Sequence, residues 1–114
     1  MGDLTKDFNR QEFACPHCGR IVGPQEPLVA MLQRARTAKG RALHVVDGYR
    51  CPAYNRQVGG VLHSEHLRGN AADVFGGYAT ADEWVSYGAV GIGLRDGVVI
   101  HVDMRAGRPT RFID

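Results

Sequence analysis

Two short segments concentrate the residues of this chain that could do chemistry. One reads Ser64-Glu65-His66-Leu67-Arg68-Gly69-Asn70-Ala71-Ala72-Asp73, and about thirty residues later comes Val99-Ile100-His101-Val102-Asp103. Together they supply two imidazoles and a carboxylate, a donor set suited to a catalytic zinc ion. Three protein ligands leave a fourth position open for water, whereas a structural zinc site is closed by four. On an extended strand, side chains alternate, so His101 and Asp103 share one face while Ile100 and Val102 take the other. Gly69 can turn the chain between His66 and Asp73, and the small Ala71 and Ala72 permit close packing beside a metal. A lone histidine near an apolar strand is ordinarily a hydrogen-bonded polar residue. The weight here rests on five residues in fixed order, followed by His-x-Asp on an expected strand.

The elements that must position these residues can be read from hydrophobic spacing. Residues 1–23 look irregular, with Phe8 and Phe13 as anchors onto the core. Pro24 and Pro27 suit the first turn of a helix, and Leu28, Met31, Leu32 and Ala35 then follow at helical spacing up to Gly40. This predicts a helix over 25–39. Ala42 to Val46 reads as a buried strand, 52–58 as a short helical turn broken by Gly59-Gly60, and 71–75 as a short strand carrying Asp73. Thr80 with Glu83 forms a capping-box pattern that opens a helix to about Tyr87. Segments 91–94 and 98–104 flank Asp96-Gly97, a strong hairpin signal. The expected fold is α+β: a small antiparallel sheet with flanking helices and the zinc site on the sheet face, all within one domain over 1–114.

The 114 residues suffice for one modest core, and 44% hydrophobic content is ordinary for a globular protein. A net charge of +2, with the basic residues scattered, is far from a nucleic-acid-binding footprint. No apolar run approaches a membrane span, so no membrane insertion is expected. The first residues lack the layout of a signal peptide, so synthesis in the cytosol is expected.

The two segments resemble the zinc D-Ala-D-Ala carboxypeptidase family, which includes the L-alanyl-D-glutamate endopeptidases of phage lysis systems and relatives that cleave murein cross-links. The family signature Ser-x-His-x-x-Gly-x-Ala-x-Asp is matched at every fixed position by residues 64–73. The resemblance extends to Gly48-Tyr49-Arg50-Cys51-Pro52, Asn55, Val58-Gly59-Gly60 and His101-Val102-Asp103-Met104-Arg105, covering about residues 42–105. More loosely, it includes the preceding helix and Glu12-Phe13-Ala14-Cys15. It implies that His66, Asp73 and His101 are zinc ligands and that Arg50 holds a substrate carboxylate or carbonyl. It further implies a zinc metallopeptidase, carboxypeptidase or endopeptidase, acting on peptidoglycan stem peptides or cross-bridges. A monomer with endolysin-like activity fits, reaching the wall after release or as part of a virion.

Some roles stay open at this stage. Arg50 offers a planar charged fork suited to carboxylates, and a surface salt bridge is its other reading. Several family branches carry an acid or base two or three residues before the last zinc histidine, where this chain has Val98 and Val99. Asp103 is the nearest alternative, as a catalytic base or as a group orienting an imidazole. Glu65 is a weaker candidate, expected to be exposed. Ser64 can bond a zinc ligand or substrate, or cap its loop. His44 and His63 match no motif position. Cys15-Pro16-His17-Cys18-Gly19 resembles half a zinc knuckle. Cys51 would be a third thiolate and His17 a fourth donor for a second, structural ion stapling the N-terminus; otherwise these are three reduced thiols. Two rivals to a peptidase stand beside it. One is a non-catalytic zinc-containing wall-binding or structural module, and the other is a purely structural zinc.

Overall fold

The computed structural model describes residues 2–114. Helix α1 (Glu26–Lys39) begins one residue later than the spacing predicts. Gln25 is its N-cap, Pro27 lies in the first turn, and Pro24 stays outside in the preceding segment. Gly40 ends the helix in the left-handed region with φ of 67°. Strand β1 (Val45–Asp47) is shorter and later than expected, because pairing is possible only where its neighbour runs alongside. Its register is Val45 opposite Val74 and Asp47 opposite Asp73. Helix α2 (Pro52–Gln57) is capped by Cys51, and a single 3-10 turn spans Glu65–Arg68. Strand β2 (Ala71–Val74) follows, then helix α3 (Ala81–Ser86), whose capping box joins Thr80 and Glu83 as the sequence predicts. Strands β3 (Gly91–Arg95) and β4 (Val98–Asp103) form the hairpin. Its turn residues Asp96 and Gly97 have φ of 53° and 78°, matching the paired positive φ of a type I′ turn.

A fifth strand, β5 (Thr110–Ile113), has no counterpart in the sequence-based expectation. The sheet order is β1-β2-β4-β3-β5, and β5 runs parallel to β3, so the sheet is mixed rather than wholly antiparallel. The fold class is α+β.

Core and site occupy opposite faces of this sheet. Ala72, Val74, Ile92, Val99 and Val102 join Leu28, Met31, Leu32 and Ala35 of α1, with Phe8, Phe13 and Trp84, in one buried cluster. Val99 and Val102 are three residues apart, which regular alternation would send to opposite faces. The register of β4 on β3 slips between Gly93–His101 and Leu94–Val99, leaving Ile100 as an extra residue. This bulge returns Val99 to the core and leaves Ile100 half-buried outside the core cluster, correcting the expectation that Ile100 shares a face with Val102. The N-terminal segment is irregular apart from a 3-10 turn at Arg10–Phe13, and Phe8 and Phe13 anchor it as expected. Among the described residues, no helix is long and apolar enough to cross a membrane.

Candidate metal centre

Asp73 of β2 and His101 of β4 are direct cross-strand partners, so a carboxylate and an imidazole leave the same face side by side. His66 arrives from the 3-10 turn. Ser64 caps that turn, accepting a hydrogen bond from the His66 backbone N–H at 3.2 Å, and Gly69 closes it with φ of 68°. A Cβ at residue 69 would overlap the carbonyl of Val22, so glycine is required there twice over. Three donor atoms converge. His66 Nε2 lies 3.1 Å from Asp73 Oδ1 and 3.2 Å from His101 Nδ1, and His101 Nδ1 lies 3.3 Å from Asp73 Oδ1.

The triangle fits a zinc ion on two grounds. Donors about 2.0–2.1 Å from a tetrahedral zinc stand about 3.3–3.4 Å from one another, close to the observed edges. The second ground is proton bookkeeping. His66 Nδ1 faces the carbonyl of Gly48 at 2.7 Å, and a carbonyl only accepts, so Nδ1 carries the hydrogen. His101 Nε2 faces Asp103 Oδ2 at 2.8 Å, and a carboxylate only accepts, so Nε2 carries the hydrogen there. When both rings are neutral, as metal ligation requires, each turns a lone pair toward the other and toward Asp73. A cation resolves that convergence, and each imidazole has the outer partner that metal-bound histidines usually have.

Charge around the triangle is tightly arranged. The other oxygen of Asp73, Oδ2, accepts from Arg50 Nη2 at 2.8 Å, and Arg50 Nε donates to Asp47 Oδ2 at 3.0 Å. Burial disfavours ionisation of Asp73, but hydrogen bonds to His101 and His66 prevail and hold it well below the usual carboxylate range. Asp103 behaves likewise: burial opposes its charge, and His101 and Arg105 more than restore it. For His101, burial works against the charged ring, yet Asp103 and Asp73 raise it to about 9. Asp47 moves the other way, pushed up by burial with Arg50 only partly offsetting.

Asp103 is fully buried. Its Oδ1 accepts from the Arg105 backbone N–H at 3.0 Å and Arg105 Nε at 2.9 Å, and its Oδ2 from Arg105 Nη2 at 2.7 Å as well as from His101. Gly91 lies opposite Asp103, and a Cβ there would overlap the carboxylate. Glycine on β3 is thus the space into which the carboxylate folds. A cleft of about 350 Å³ opens beside His66 and His101, lined also by Arg50 and Ser64, with Arg105 and Phe112 at its side, and Asp73 lines a second cleft that shares Arg50. Glu65, expected to be exposed, lines the first cleft with its side chain 16% exposed and its Oε1 accepting from Asn70 Nδ2 at 2.8 Å.

Several contributors escaped the sequence reading. Asp47 stands three residues before Arg50 at a strand end, a spacing that could have flagged the pair. Gly48 acts through its carbonyl, for which no side-chain signal exists. Arg105 stood only within the stretch His101–Arg105 that carries the resemblance, with no role attached to it. Phe112 of β5 sets its ring edge-on to His101 at 5.4 Å, and the Arg105 guanidinium lies 4.7 Å over the same ring. Elsewhere the sulfurs of Cys15, Cys18 and Cys51 come within 4.8 Å of one another, a second candidate group for an ion.

The family model for Peptidase M15 matches residues 5–103, which takes in His66, Asp73, His101 and Asp103, while Arg105 and Phe112 lie beyond the match. Comparison with individual curated proteins gives no match. The chain belongs to the M15 peptidases, a family of zinc-dependent metallopeptidases that includes the D-Ala-D-Ala carboxypeptidases.

Proposed function

We propose that this protein is a zinc-dependent peptidase that hydrolyses peptide bonds in the stem peptides or cross-bridges of bacterial peptidoglycan, in the manner of an endolysin. The observation that carries this reading is the triangle of His66 Nε2, Asp73 Oδ1 and His101 Nδ1, with His66 and His101 lining an open cleft, in an M15 chain. A bound zinc ion supplies Lewis acidity, polarising a scissile carbonyl and making water nucleophilic near neutral pH. The chain's residues supply the rest. Gly48 and Asp103 fix the two imidazoles in the tautomers that present lone pairs, and Arg50 holds Asp73 from behind. Arg50 Nε and Nη2 are taken by Asp47 and Asp73. Nη1, which donates only a long 3.5 Å hydrogen bond to Asn55 Oδ1, is therefore the edge of the guanidinium that meets a substrate carboxylate or carbonyl. Ser64 serves through the His66 backbone it caps. Proton transfer to the leaving amine falls to titratable side chains that line the cleft, His63, Glu65 and Asp114.

The test is release of free amino groups from purified murein of several cross-bridge types, by zinc-loaded protein with and without a chelator, with mass analysis of the products. Chelator-sensitive release from at least one murein, identifying the bond, is expected. Binding to murein without turnover on any type would overturn the assignment in favour of a wall-binding module.

A further inference from the structure

The thiols form a second convergence, on the far side of the loop that carries Arg50. Cys15 and Cys51 are buried, and Cys18 is exposed at the tip of a tight turn. That turn is closed by hydrogen bonds from Gly19 N–H to the Cys15 carbonyl and from Cys15 N–H to the Arg20 carbonyl, both 2.8 Å. All three cysteines are free. Their number is odd, so no set of disulfides within the chain uses all three sulfurs that meet there. Two backbone amides point at sulfur: Cys51 N–H donates to Cys15 Sγ and Tyr54 N–H to Cys51 Sγ, each at 3.4 Å. Thiolate is the form that ligates metal. A nitrogen stands beside the group, farther than 4.8 Å from at least one of its three sulfurs. His17 Nδ1 lies 3.6 Å from Cys51 Sγ, its ring stacked on Tyr54 at 6.0 Å and 13°. For zinc–sulfur bonds of about 2.3 Å and zinc–nitrogen bonds of about 2.0–2.1 Å, a tetrahedral site places sulfur and nitrogen about 3.6 Å apart.

We propose that Cys15, Cys18, Cys51 and His17 Nδ1 bind a second, structural zinc ion in a closed four-ligand site. Ligation forms three zinc–sulfur bonds and one zinc–nitrogen bond, and the thiol protons pass to solvent without any change of oxidation state. What the ion ties together explains its placement. Cys51 directly follows Arg50, and Gly48 two residues earlier gives its carbonyl to His66. Tyr49 N–H donates to the Phe13 carbonyl at 2.9 Å, so the same loop already leans on the N-terminal segment. The second ion pins this loop from behind, holding the groups that orient His66 and Asp73. The proposal stands apart from the peptidase reading, because its ligands and its spectroscopic signature are separate.

The full-length chain, purified under reducing conditions, provides the test. Metal analysis is expected to give two zinc ions per chain, and thiol alkylation to find all three cysteines protected until a chelator is added. Cobalt replacement should produce thiolate-to-metal charge-transfer bands. His66→Ala should hold one ion and keep those bands, whereas Cys15→Ser with Cys18→Ser should hold one ion and lose them. A wild-type chain with one zinc and three freely alkylated thiols, or with a disulfide among them, overturns the proposal whether or not the cysteine variant folds. Failure to hydrolyse murein would leave the bands untouched, so the two readings fail separately.

Discussion

The Asp103 carboxylate has donors on both oxygens and no exposed surface, which favours one of the two roles the sequence left open for it. A general base needs a path to the proton it removes. Here the lone pairs are committed to His101 and Arg105, and Asp103 does not line the cleft. We therefore assign Asp103 to orienting His101 and to favouring its Nε2–H tautomer. Asp103→Asn keeps the shape and removes the charge. Zinc affinity is expected to fall about 10–100-fold, the usual cost of losing a partner of a metal-bound histidine. Competition with a chromophoric chelator measures it. Wild-type affinity combined with lost turnover would return Asp103 to the base role. At this scale His66, Asp73 and His101 were legible because ligand chemistry leaves a spacing pattern in the sequence. Asp47 and Gly48 were not, because one acts on a guanidinium across a turn and the other through backbone.

Elements decide whether those side chains meet. The 3-10 turn that delivers His66 depends on Gly69, which adopts left-handed backbone and packs against Val22. Gly40 adopts nearly the same φ at the end of α1, yet has open space around it. Substitution of Gly40 by Ala is expected to cost about 1 kcal/mol for backbone conformation alone. Gly69→Ala should cost distinctly more, since the new Cβ meets a carbonyl as well. Urea midpoints of the two variants, compared at equal slope, give the difference; equal losses would mean the approach to Val22 is dispensable. The helices, the hairpin and β2 were visible as periodicity or turn chemistry. The bulge at Ile100 was not, because one extra residue leaves the apolar run Val98–Ile100 unchanged in composition. Strand β5 also escaped, as four residues behind Pro109 have no pattern long enough to read. It forms because β3 offers it an edge.

For the molecule as a whole, the charged site makes stability depend on pH in a defined direction. In chelator-treated protein, His101 is raised from 6.5 to about 9, so its imidazolium contributes stability that is complete below pH 6.5 and lost as pH rises toward 9. Asp73 and Asp103 lie below their ordinary value of 3.8, so their contribution is present above that pH and lost as acid protonates them. Urea midpoints are expected to fall at both ends, with the alkaline decline starting near pH 6.5; a flat profile from 6.5 to 9 would refute the His101 assignment. The sequence alone determined the ligand types, the fold class and the family resemblance, because donor chemistry, hydrophobic period and turn residues are local properties. Only the tertiary structure decided which lone pairs converge, that Arg50 lies between two carboxylates, and that Asp103 sits behind its histidine. Those depend on register and on contacts between segments tens of residues apart, which no local pattern encodes.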